Sequence, residues 1–204
     1  MVTHALETEI FGAVEGPVDE VVLRRLVEYA GVRLRLGAVH VKDGKPNLLK
    51  NIGGYNNAAI YAPWVVLIDL DHDATCPALA LSGWLPQPAT HMCFRIAVRT
   101  VEAWILADRE RIASFLGVSL SRIPHDPDAE DNPKRSLVNI ARHSRYRRIR
   151  EGVVPQPSSG RMVGPLYVSL MIDFINTHWS PKDAVNNSDS LRRCCTRLNA
   201  LSAP

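Results

Sequence analysis

An α/β fold, with a parallel sheet sandwiched by helices and a helical extension after it, is the class this sequence predicts. Three observations carry the prediction. Strand-like apolar runs alternate with helix-periodic segments between residues 9 and 116. One run, Trp64-Val65-Val66-Leu67-Ile68, is apolar without interruption, the pattern of a central strand buried on both faces. Acidic residues stand where strands give way to loops or helices, and the carboxyl ends of parallel strands are where ligands bind in open α/β sheets.

Taken in order, Glu9-Ile10-Phe11-Gly12-Ala13-Val14 reads as a first strand. Gly16-Pro17 turns the chain, and Pro17 suits the first turn of a helix. Val22, Leu23, Leu26, Val27 and Ala30 then recur at helical spacing, and Gly31 ends the run. Residues 32–41 alternate as a second strand, and Asp43-Gly44-Lys45-Pro46 is loop chemistry. A glycine-interrupted helix is expected over 47–60, a strand at 64–69, a short helix at 77–85 and a strand at 93–98. Thr100 caps a predicted helix over 100–116, closed by Gly117. Beyond it lies an acidic, proline-punctuated loop, then helices near 134–143, 166–178 and 188–198, with a flexible stretch at Pro155-Gln156-Pro157-Ser158-Ser159-Gly160. Trp104, Ile105 and Phe115 read as core, and Trp179 before Pro181 as a helix end.

A chain of 204 residues suits one domain with an appendage: an α/β core over 1–120 and a helical extension packed on it over 121–204. The 46% apolar content supports a real core, and no apolar run is long enough to span a membrane. The opening Met1-Val2-Thr3-His4 lacks the pattern of a secretory signal, and the four cysteines form no disulfide framework, so a cytoplasmic protein is expected. The net charge of +3 permits a polyanionic partner without demanding one.

Three acidic groups carry the candidate chemistry. Glu15 follows the first strand, with Asp19 and Glu20 just beyond it. Asp69, Asp71 and Asp73 follow the central strand, and Glu102 opens the 100–116 helix. Alternation predicts Asp69 and Asp71 on one side of a strand, where two carboxylates repel unless a cation lies between them. Hard Mg²⁺ or Mn²⁺ takes such oxygen ligands. For Asp19, Glu20, Asp73 and Glu102, capping a helix or offsetting its dipole is the competing reading.

The apolar strand ending in Glu15-Gly16 with a helix after it, together with the strand ending in Asp69-Leu70-Asp71, resembles the TOPRIM (Rossmann-like) domain of topoisomerases, primases and OLD-type nucleases. Val101-Glu102-Ala103-Trp104-Ile105-Leu106-Ala107-Asp108 and Asn132-Pro133-Lys134 are similar to small stand-alone TOPRIM-like proteins found beside ATPases in bacterial defence loci. The resemblance implies a TOPRIM-like sheet and a metal-dependent nuclease working with Mg²⁺ or Mn²⁺. By position, Glu15 matches the family glutamate, Asp69 and Asp71 the aspartate pair, and Asp19 a second acid with Glu20 as its rival. Glu102 and Asp73 become further metal-side carboxylates, and Lys134 the late lysine. Glu15 and Lys134 then act as the catalytic residues. An ATPase partner and a role in anti-phage defence are implied in the same way, and a homo-oligomer is left open. The chain departs from the pattern after Asp71, where His72-Asp73-Ala74-Thr75-Cys76 follows.

Arg142-His143-Ser144-Arg145-Tyr146-Arg147-Arg148-Ile149-Arg150 is the candidate nucleic-acid contact. Arg142, Arg145, Arg147 and Arg148 would neutralise phosphates and Tyr146 would stack on a base. A solvated helix face or a dock for an acidic protein is the alternative. His72, Cys76, His91 and Cys93 raise zinc, but their spacing matches no familiar finger, and a strand cysteine is usually just apolar. Three functions compete: a metal-dependent nuclease, a non-catalytic TOPRIM-like binding or regulatory subunit of an ATPase complex, and phosphoryl chemistry on small molecules. No P-loop is present, so this chain is not expected to be a P-loop ATPase itself.

Overall fold

Four parallel strands in the order β2-β1-β3-β4 organise the chain in a computed structural model that describes residues 8–31 and 33–201. The segment 1–7, on which the signal-peptide reading rests, and Val32, the expected start of the second strand, lie outside the described residues. The strands are β1 (Thr8–Val14), β2 (Leu34–Val41), β3 (Trp64–Asp69) and β4 (Met92–Ala97). Between them run α1 (Pro17–Ala30), α2 (Lys45–Lys50), α3 (Ile52–Ala58) and α4 (Pro77–Trp84).

The two-residue period of each strand sorts its side chains into two layers. Ile10 and Val14 of β1, Val65 and Leu67 of β3, and Cys93 and Ala97 of β4 share one buried cluster with Val22, Leu23 and Leu26 of α1. Ala13, Trp64, Val66, Ile68, Phe94 and Ile96 form the other, with Leu48, Tyr55 and Ala80 from α2, α3 and α4. Burial on both faces is why the β3 sequence is continuously apolar. No helix among the described residues is long and apolar enough to cross a membrane.

The predicted 47–60 helix is two helices, α2 and α3, parted at Asn51, whose backbone leaves helical geometry (φ −101°, ψ 0°). The predicted 100–116 helix is likewise two, α5 (Val101–Ala107) and α6 (Arg109–Leu116). Asp108 breaks it at φ −83°, ψ 66°. Its carboxylate accepts a hydrogen bond from the Ser180 N–H (2.7 Å) and pairs with Arg111 (3.1 Å). A distant loop thus outcompetes the helical periodicity of a single segment. Gly117 closes α6 in the left-handed conformation at φ 64°, the expected glycine stop.

The extension contains α7 (Pro133–Ala141), α8 (Arg147–Val153), α9 (Tyr167–Thr177), α10 (Pro181–Ala184) and α11 (Asp189–Leu201). Helices α8 and α10 add to the three expected there. Leu170, Met171 and Phe174 of α9 and Leu191 and Leu198 of α11 lie in the same cluster as α1 and β1, so the extension completes the sheet's core. Trp104 and Trp179 are buried there, and the Trp179 indole N–H donates to the Trp104 carbonyl (3.1 Å).

The strand order sets the site. From β1 the chain crosses to β2 on one side, then returns to β3 on the other. The crossovers part between β1 and β3, and the crevice beyond the carboxyl ends of those two strands is the binding position of open α/β sheets.

Candidate active site

Glu15 leaves the end of β1 at that crevice, and its Oε1 accepts the backbone N–H of Asp69 at the end of β3 (2.8 Å). This bond clips the two central strands together at their carboxyl ends. Asp19, in the first turn of α1, turns back so that its Oδ2 accepts the Gly16 N–H (2.7 Å). Asp69 Oδ1 accepts the Val101 N–H (2.9 Å), capping α5 from across the sheet. The expected cap, Thr100, does not serve: its hydroxyl oxygen is buried without a hydrogen-bond partner. Glu102, only 1% exposed, accepts the Tyr167 hydroxyl on Oε1 (2.9 Å), and Lys134 Nζ lies 3.3 Å from the same oxygen.

A pattern runs through these four carboxylates. Each has one oxygen anchored, while the second makes no hydrogen bond or ion pair among the described residues. For Glu102 that second oxygen is also sealed from solvent. All four acids line one pocket of 300 Å³ together with Lys134 and Tyr167.

Their electrostatics follow. Burial, with the charges of Glu102 and Glu15 after it, pushes Asp19 up to about 7. Burial, then Asp19, Glu102 and Glu15, pushes Asp69 well above the usual carboxylate range. Glu15 is raised by burial too, with the Asp69 N–H and Lys45 opposing. The negative charge of Glu102 is the main reason Lys134 is held above the ordinary lysine value. One lysine thus faces a cluster of carboxylates that raise one another's proton affinity.

Asp71 and Asp73 stand elsewhere. Strand β3 ends at Asp69, and Asp71 adopts a left-handed backbone at φ 47°, so strand alternation does not carry from Asp69 to Asp71. Lys45 Nζ binds Asp71 Oδ2 at 2.6 Å and Asp73 Oδ2 at 2.7 Å, and neither acid lines the 300 Å³ pocket. Asp71 is still near enough for its charge to raise Glu15. Glu20, the rival of Asp19, points outward into an ion pair with Arg24 (2.6 Å). The zinc candidates are split: His72 follows the carboxyl end of β3, whereas His91 precedes the amino end of β4. Burial raises the Cys93 thiol to about 11.

Lys45 and Tyr167 are the site residues that sequence reasoning missed. Lys45 sits where the β2 loop reaches the carboxyl edge of the sheet, a positional signal available in Asp43-Gly44-Lys45-Pro46. Tyr167 reads as one more apolar-face residue of its helix, and nothing local marks it.

The basic segment forms a second feature. Arg142, Arg147, Arg148 and Arg150 line a groove of 860 Å³ with Pro155, Pro157, Pro165 and Leu166. Arg142 and Arg148 make no ion pair among the described residues, whereas Arg147 pairs with Glu151 (2.7 Å) and Arg150 donates to the Ser144 carbonyl (2.6 Å). Tyr146 is 42% exposed, and the Arg145 guanidinium lies 4.9 Å from its ring centre.

Oxygen-only donors, one of them a buried and unpartnered carboxylate oxygen, fit a hard divalent cation such as Mg²⁺ or Mn²⁺. As the side chains are placed, no group of three or more Asp, Glu, His or Cys among the described residues is close enough together to hold a metal ion, so binding one requires the carboxylates to draw in. No family model, curated protein or solved structure matches this chain.

Proposed function

We propose that this chain is a metal-dependent nuclease of TOPRIM type, hydrolysing phosphodiester bonds of DNA or RNA at the carboxyl ends of β1 and β3. The observation that carries the reading is the set of four anchored carboxylates, Glu15, Asp19, Asp69 and Glu102, each with one unpartnered oxygen, around a single pocket. Anchoring one oxygen fixes the other in place, which is what preorganised electrostatic catalysis requires.

In this reading the free oxygens of Asp69, Glu102 and Asp19 would hold the cation, with Asp71 joining only if it leaves Lys45, and the one free oxygen of Glu15 is left for the attacking water. A divalent ion there supplies Lewis acidity toward a phosphate and its attacking water. The Lys134 ammonium, already at the rim, offsets charge growing on the phosphate oxygens. Glu15, with its proton affinity raised by burial, is suited to taking the proton of the attacking water. An ATPase partner and a place in anti-phage defence extend the proposal by family resemblance alone.

A second reading is favoured by a different observation. Lys45 neutralises Asp71 and Asp73, and Lys134 neutralises Glu102, so the acids are partly satisfied without metal. A non-catalytic TOPRIM-like binding or regulatory subunit accounts for that. Calorimetric titration with Mn²⁺, and incubation with labelled DNA and RNA in Mn²⁺ or EDTA, separate the two. The nuclease reading expects Mn²⁺ binding and EDTA-sensitive cleavage, both lost in Asp69→Ala and reduced less in Asp71→Ala. Cleavage that survives EDTA, or an Asp69→Ala protein as active as the parent, ends it.

A further inference from the structure

The acid pocket and the basic groove share one wall. Val163, Tyr167 and Val168 line the pocket, while Pro165 and Leu166, between them in the chain, line the groove. This ridge is fixed to α8. The Gly164 N–H donates to the Val153 carbonyl (2.8 Å) and the Leu166 N–H to the Gly152 carbonyl (2.9 Å). A Cβ built on Gly164 would stand 2.4 Å from the Gly152 oxygen, so the two backbones touch. The arginines of α8 are therefore held in a set relation to the carboxylates.

The pocket itself is small and its acids are recessed. Its 300 Å³ is at the small end of ligand sites, and two of its carboxylates, Asp19 at 8% and Glu102 at 1% exposure, are buried. A duplex holds its phosphates on a stiff, convex rod, so seating one on buried acids costs deformation of the helix that a single strand does not incur. A single strand bends freely, and unpaired Arg142 and Arg148 in the groove offer it a phosphate track.

We infer that the substrate is a single-stranded polynucleotide, or the single-stranded end of a duplex, that follows the basic groove and crosses the Val163–Val168 ridge into the acid pocket. This rests on the nuclease reading for the chemistry but not for the strand path.

Binding of fluorescent 20-nucleotide DNA and RNA strands, the matching duplexes and duplexes with single-stranded overhangs tests it, with Ca²⁺ present to avoid turnover. Single strands and overhangs should bind at least tenfold tighter than blunt duplex at equal salt, whichever sugar is preferred. Arg142→Glu with Arg148→Glu should weaken single-strand binding at least tenfold, with unchanged far-ultraviolet circular dichroism. Blunt duplex binding as tightly, binding indifferent to these substitutions, or no binding to any strand overturns the inference. A parallel Mn²⁺ titration keeps the two proposals apart. Metal binding without strand preference sinks the inference alone, and strand preference without metal binding sinks only the nuclease reading.

Discussion

Asp19 shows how a single side chain serves both packing and chemistry. It satisfies the Gly16 N–H and at the same time stands in the field of Glu102 and Glu15. Its proton is lost from the unfolded chain near the ordinary value of 3.8 but kept in the fold to about 7. The folded state therefore binds the extra proton across that window, and stability falls as pH rises through it, levelling off above about 7. Urea denaturation in EDTA should show this fall between about pH 4 and 7, flattened in Asp19→Asn, which gains on the order of 1–3 kcal/mol at pH 8. Mn²⁺ should stabilise the parent protein more at pH 8 than at pH 5. Tyr167→Phe removes the hydroxyl that anchors Glu102. Leaving a buried carboxylate short of a donor should cost about 1–3 kcal/mol, read as a lowered denaturation midpoint. The acids themselves are legible in the sequence as types and positions. Which oxygen of each is anchored is not, because the donors come from Val101, Tyr167 and the Asp69 backbone on other elements.

Helices in this chain end where distant partners require it, and the α5–α6 break is the clearest case. Periodicity supports one helix through Asp108, but the Ser180 N–H and Arg111 recruit its carboxylate and the backbone follows. Asp108→Ala should cost about 1–3 kcal/mol by leaving the Ser180 N–H without its acceptor, measurable by chemical denaturation. The approach of the Val163–Val168 ridge to α8 is set by glycine at both contact points. Gly164→Ala drives a methyl into backbone and should cost about 1–3 kcal/mol or more, while loosening strand binding by separating groove from pocket. The strands, the first helix and the Gly117 stop follow from period and turn chemistry alone. The basic segment is equally visible, but its folding into α8 beside α9 is not, since arginine spacing does not say which helix it will meet.

At the scale of the molecule, the extension is part of the working fold. It places Lys134 and Tyr167 on Glu102 of α5, beside the acids at the strand ends, and α9 and α11 cover α1. A chain cut after residue 120 should expose Val22, Leu23 and Leu26 and fail to give a cooperative thermal transition by circular dichroism. The amino-acid sequence alone determined the alternation of strands and helices, the buried central strand and the acids at strand ends, because each is written in local period and residue type. Tertiary structure decided the strand order that opens a crevice between β1 and β3, the diversion of Asp71 and Asp73 to Lys45, and the meeting of the acid pocket with the arginine groove. Those depend on contacts between segments tens of residues apart, where burial and charge, rather than local propensity, choose the partner.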